Sequence, residues 1–90
     1  REMLASTGLI ADETNWLVDP PIDSLRCEVK IRYNAPPVPG TVRATGDDEL
    51  RVNFDQPQDA VAPGQAVVCY DGDRVIGGGW IARPLAGNDE

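Results

Sequence analysis

Chemistry is densest in Lys30-Ile31-Arg32-Tyr33. With the residues before it this stretch completes an eight-residue alternation, Arg26-Cys27-Glu28-Val29-Lys30-Ile31-Arg32-Tyr33. A strand over these residues sends Arg26, Lys30 and Arg32 to one face and Cys27, Val29, Ile31 and Tyr33 to the other. At about 3.4 Å per residue, the three cations stand at intervals of about 7 and 14 Å. A row of that kind tracks the phosphates of a nucleic-acid strand. Tyr33 ends the row with a ring able to stack on a base. Gln65, which follows Pro63-Gly64, offers a donor and an acceptor to a base edge or a ribose. Composition alone favours plainer roles: a charged outer face that discourages edge pairing, and a loop glutamine bonded to water.

The other reactive residues read as structural. The sequence has no His, which removes imidazole bases, His metal ligands and Ser-His pairs. Cys27 and Cys69 form no C-x-x-C pair and occupy inward strand positions, so they read as free thiols packed in a core. Gly77-Gly78-Gly79 is followed by Trp80-Ile81-Ala82 rather than by the Lys-Ser/Thr and helix of a phosphate loop, and reads as a bulge or a close backbone approach. Asp47, Asp48 and Glu49, and Asp71 with Asp73, lack the longer ligand run of an EF-hand and read as turn carboxylates. Trp16 and Trp80 read as core or seam residues. No catalytic constellation and no metal site emerges.

These residues need strands to position them. Beyond Arg26–Tyr33, the alternation marks 50–54 with Leu50, Val52 and Phe54 inward, and more weakly 41–45. Ala66-Val67-Val68-Cys69-Tyr70 is a continuous apolar run, the pattern of a strand covered on both faces. A first strand covers about 4–11, with 15–18 as its continuation, and a last one joins Val75-Ile76 to Trp80-Ile81. Asp71-Gly72 predicts a two-residue type I′ hairpin turn, and Gly46-Asp47-Asp48 a looser one. Pro20-Pro21 and Pro36-Pro37-Val38-Pro39-Gly40 predict connections or edges. Six or so short strands with turns every eight to twelve residues imply an all-β fold, a small antiparallel barrel or sandwich, and closure into a barrel removes exposed edges.

Ninety residues make a single domain spanning 1–90. Arg1 in place of Met reads as a cut within a longer protein. No apolar run approaches the roughly 20 residues of a spanning helix, which argues against a membrane partner. The net charge is −7, unlike that of a stand-alone nucleic-acid binder. The charge is uneven, however. Residues 26–43 set Arg26, Lys30, Arg32 and Arg43 against Glu28 alone, leaving room for a basic strip on an acidic body.

Several motifs in one order carry a resemblance. They are Arg26 to Tyr33, Val38-Pro39-Gly40-Thr41-Val42, Val52-Asn53-Phe54-Asp55-Gln56-Pro57-Gln58, Ala62-Pro63-Gly64-Gln65-Ala66-Val67-Val68, Tyr70-Asp71-Gly72-Asp73 and Gly77-Gly78-Gly79. Together, over about residues 3–82, they resemble the C-terminal barrel of the bacterial tRNA-specific 2-thiouridylases, in older usage tRNA (5-methylaminomethyl-2-thiouridylate)-methyltransferases. The resemblance implies a closed β-barrel like the second domain of translation elongation factors. It implies a cytoplasmic parent enzyme that activates the wobble uridine of tRNA with ATP and magnesium and replaces its 2-oxygen with sulfur. Catalytic cysteines and the ATP loop belong to an upstream catalytic domain, so this fragment needs no cofactor of its own. The implied partners are tRNA, that upstream domain and a sulfur-relay donor protein. Family tRNA contacts map to Arg32, Tyr33 and Gln65, with Lys30 and Arg26 adding a weaker field. Many relatives carry another basic residue where this chain has Asn34, which lowers the local positive charge. The competing reading is a structural barrel that packs on its parent domains without touching RNA.

Overall fold

The computed structural model describes residues 5–86. Six strands succeed one another: β1 (Ser6–Trp16), β2 (Leu25–Lys30), β3 (Val38–Gly46), β4 (Glu49–Gln58), β5 (Ala66–Asp71) and β6 (Arg74–Leu85). They close into a barrel in the order β1-β4-β3-β2-β5-β6, with neighbours antiparallel. β2, β3 and β4 form a meander, β5 and β6 a hairpin, and β1 lies between β4 and β6. The closed barrel, rather than the sandwich, is the fold, and among the described residues each strand has a neighbour on both sides.

Alternation builds the interior. Val29, Val42, Leu50, Val52, Val67 and Cys69 all point inward and are almost wholly buried. Each aliphatic among them contributes roughly 1.5–3 kcal/mol through burial. Val61, from the irregular β4–β5 connection, joins the same core. Gly78 permits the β5–β6 approach, because a Cβ there would run into the Val67 carbonyl oxygen.

Several expectations shift. β2 stops at Lys30, three residues short of the alternation. The chain turns at Arg32–Ala35, where the Ala35 amide donates to the Arg32 carbonyl at 3.3 Å, and Pro36-Pro37 prevents a return to the ladder. Ile31 stays buried, but Tyr33 is 96% exposed instead of facing inward. Pro39 lies within β3 opposite Glu28; the ladder to β4 starts only at Gly40, so its missing N–H falls near a strand start. The hairpin turn is Gly72-Asp73, one residue later than expected, between the Asp71–Arg74 pair. Only Gly72 has positive φ (66°), the pattern of a II′ rather than a I′ turn. β1 runs unbroken through 11–15, and its expected start at Leu4 lies outside the described residues. β5 is covered on its inner face only: Val67 and Cys69 are buried, while Ala66 is exposed and Val68 and Tyr70 are half-buried.

Candidate nucleic-acid interface

The end of β2 and the start of β5 lie side by side, with Lys30 paired to Val68. The turn after β2 carries Arg32, Tyr33 and Asn34 to this end of the barrel. On the other side, Gly64 adopts φ 89°, a conformation that suits glycine, and turns the chain into β5 at Gln65. The Gly64 amide donates to the Ile81 carbonyl (2.8 Å), and the Ile81 amide to the Gln65 carbonyl (2.7 Å). These bonds fix the Pro-Gly-Gln loop to β6.

Lys30, Arg32, Tyr33, Asn34 and Gln65 thereby line one cavity of about 620 Å³, together with Ile31, Ala66, Val68 and Tyr70. Cations and amides stand over an apolar wall provided by the outer face of β5. Arg32 Nη1 donates to the Asp59 carbonyl at 2.9 Å. That bond anchors the guanidinium and uses one of its five donor hydrogens. Gln65 Oε1 is enclosed and accepts no hydrogen bond. An enclosed carbonyl without a donor costs about 1–3 kcal/mol.

Arg26 lies elsewhere. It reaches across β3 to Asp55 on β4, with Nη1–Oδ1 at 2.7 Å and Nη2–Oδ2 at 2.8 Å. The hydrogen-bonded guanidinium holds the Asp55 carboxyl below the usual carboxylate range. Arg26 lines a different, smaller cavity with Cys27, Glu28, Tyr70, Asp71 and Gly72. Four of the five candidate contacts therefore meet at one site, and the fifth is neutralised outside it. The three-cation row breaks because β2 ends before Arg32 and because the Arg26 partner is 29 residues away in sequence, where no local pattern marks it.

The remaining candidates take structural places. Cys27 and Cys69 are free and buried. Donating a hydrogen bond to Cys27, together with burial, pushes the Cys69 thiol up, away from the reactive thiolate, while accepting that bond pulls Cys27 down. Gly77-Gly78-Gly79 are strand residues of β6, with register shifts beside them in both ladders; a phosphate loop does not fit there. Asp48 Oδ1 accepts the Thr14 amide at 2.9 Å, which ties the β3–β4 turn to β1. Trp16 is half-buried against the core. Trp80 departs from expectation: it points outward beside Ala66 and is 48% exposed. Sequence reasoning passed over Ala66, Val68 and Tyr70 as parts of the site. Their signal was present in the apolar run of β5, which reads equally well as a doubly covered strand.

The family model described as the aminomethyltransferase beta-barrel domain matches residues 6–81. The chain belongs to this β-barrel family. Its relatives bear out the resemblance read from the motifs. A tRNA-specific 2-thiouridylase MnmA of Rhodopirellula baltica is 49% identical over 93% of the chain, and one of Chloroflexus aggregans 46% over 96%. The Haemophilus influenzae protein of the same name is 48% identical over 91%. The chain spans 22% of the first relative, 24% of the second and 22% of the third. In this barrel family member, then, the polar cluster sits where β2, β5 and the β4–β5 connection converge.

Proposed function

We propose that the barrel positions tRNA for a 2-thiouridylase whose chemistry lies in the rest of the parent protein. The observation that carries this reading is the convergence of Lys30, Arg32, Tyr33 and Gln65 on one cavity. In this role Arg32 and Lys30 neutralise phosphates. Tyr33 stacks on or bonds to an exposed nucleotide, and Gln65 bonds to a base or ribose. Arg26 adds little field, because Asp55 cancels it. Holding the body of the substrate brings the reacting uridine within reach of the upstream site, so the contribution is orientation rather than bond-making. The reading includes a cytoplasmic parent that supplies ATP with magnesium, takes sulfur from a relay protein and performs the transfer in its upstream domain.

The test is tRNA affinity and thiolation by the full-length enzyme carrying Arg32→Glu, and separately Gln65→Ala. The reading expects both variants to bind more weakly, with Arg32→Glu the more impaired. Normal affinity and rate in both would leave a barrel that only packs on its parent domains, the alternative that the net charge of −7 favours.

A further inference from the structure

The outer surface where β5, β6 and the end of β1 run side by side carries an apolar groove of about 280 Å³. Gly77, Gly78 and Gly79 of β6 leave its floor without side chains, with Ala66 and Val68 of β5 on one flank and Leu17 on the other. Val75 precedes the glycines along the strand and Trp80 follows them. The Leu17 amide donates to the Ile76 carbonyl at 3.0 Å, which holds Leu17 against β6. Leu17 is 61% exposed, Trp80 48%, and Val75 is exposed as well. Single apolar side chains on a surface are ordinary, but this groove gathers three of the six large ones exposed among the described residues.

Charge narrows the choice of occupant. No Lys or Arg lines the groove, Glu13 stands on its rim, and Asp12 is the cross-strand partner of Trp80. A phosphate backbone would meet carboxylates there and no cation. A second copy would bring another body of net charge −7 against the same carboxylates. A body tethered to the barrel in one chain needs little intrinsic affinity, because the tether supplies a high effective concentration. The relatives carry such a body, since more than three quarters of each lies outside the match.

We infer that this groove docks the remainder of the parent protein, with Trp80 and Leu17 as anchors of the contact. The segment it receives lays aliphatic or aromatic side chains on the glycine floor and brings a basic or amide group to Glu13. The groove shares Ala66 and Val68 with the β2–β5 cavity. RNA held by Lys30 and Arg32 therefore lies beside the seam between the barrel and the rest of the protein. The inference rests on the longer parent of the reading above and not on its RNA contacts.

The test is hydroxyl-radical oxidation of the full-length protein without tRNA, at two protein concentrations, read residue by residue by mass spectrometry. Leu17 is compared with Ile22, also aliphatic and 84% exposed, and Trp80 with Trp16, which is partly buried. On the surface of the barrel itself, Trp80 outreacts Trp16 and Leu17 approaches Ile22. Docking is expected to remove most of the oxidation of both, bringing Trp80 to or below Trp16 and Leu17 well below Ile22 at either concentration. Oxidation that follows the barrel's own exposures overturns the inference. Protection that appears only with tRNA assigns the face to RNA, and protection only at the higher concentration assigns it to a second copy; either overturns it too. Tyr33 is read in the same spectra and is expected to lose oxidation when tRNA is added. An unprotected Tyr33 beside protected Leu17 and Trp80 sinks the RNA reading and upholds this one, so the two fail separately.

Discussion

Arg26 and Lys30 stand on the same face of β2, four residues apart, and meet different fates. Arg26 is closed into a two-bond ion pair with Asp55. Lys30 faces a cavity shared with Arg32, Tyr33 and Gln65. One end of the strand therefore spends its charge within the protein, and the other presents it outward. Position on a strand face does not make a cation available for a ligand. Availability depends on what the neighbouring strands bring alongside.

The comparison can be broken from its shared support. Leu50 is fully buried in the shared core, and Leu50→Ala is expected to cost about 2–5 kcal/mol. Urea unfolding should show the loss, and both ends should fail together. Loss of the Arg26–Asp55 pair with tRNA binding preserved, or the reverse, would mean that the two regions fold independently.

A smaller change sharpens the contrast. Asp55→Asn removes the carboxylate and releases Arg26. In the full-length protein this variant should bind tRNA more tightly, with a salt slope increased by up to about 0.7–0.9, one added phosphate contact. Weaker binding would show that Asp55 serves the interface in some other way.

The smallest effect is one of pH. The folded carboxyl of Asp55 sits below its unfolded value of about 3.9. Its contribution to stability is therefore present above that value and is lost as pH falls through the lower folded value. Urea midpoints of the Asp55→Asn variant should vary less than those of the parent sequence below about pH 4 and run parallel to them at neutral pH. Identical acid profiles would remove the ion pair from the account.

The fold was legible because the inward residues repeat at period two. Leu50, Val52 and Phe54 declared β4, and Cys27, Val29 and Ile31 declared β2. The two thiols were readable as core for the same reason. The site was legible in its residues more than in its geometry. Lys30, Arg32, Tyr33 and Gln65 could be named, but Tyr33 was assigned to the wrong side, because alternation cannot show where a strand stops when the next residues keep its pattern. The Arg26–Asp55 pair depends on register between strands, and register is set by the closed barrel as a whole. Val61 escaped notice because a lone apolar residue in an irregular connection has no periodicity to mark it.

The most direct measurement is the tRNA dissociation constant of the full-length protein carrying Arg32→Gln beside that of Arg26→Gln. Arg32→Gln should weaken binding about tenfold, a loss of about 1.4 kcal/mol, while Arg26→Gln stays close to the parent value. Equal losses, or a larger one for Arg26→Gln, would contradict the claim that the β2–β5 cavity is where the barrel meets RNA.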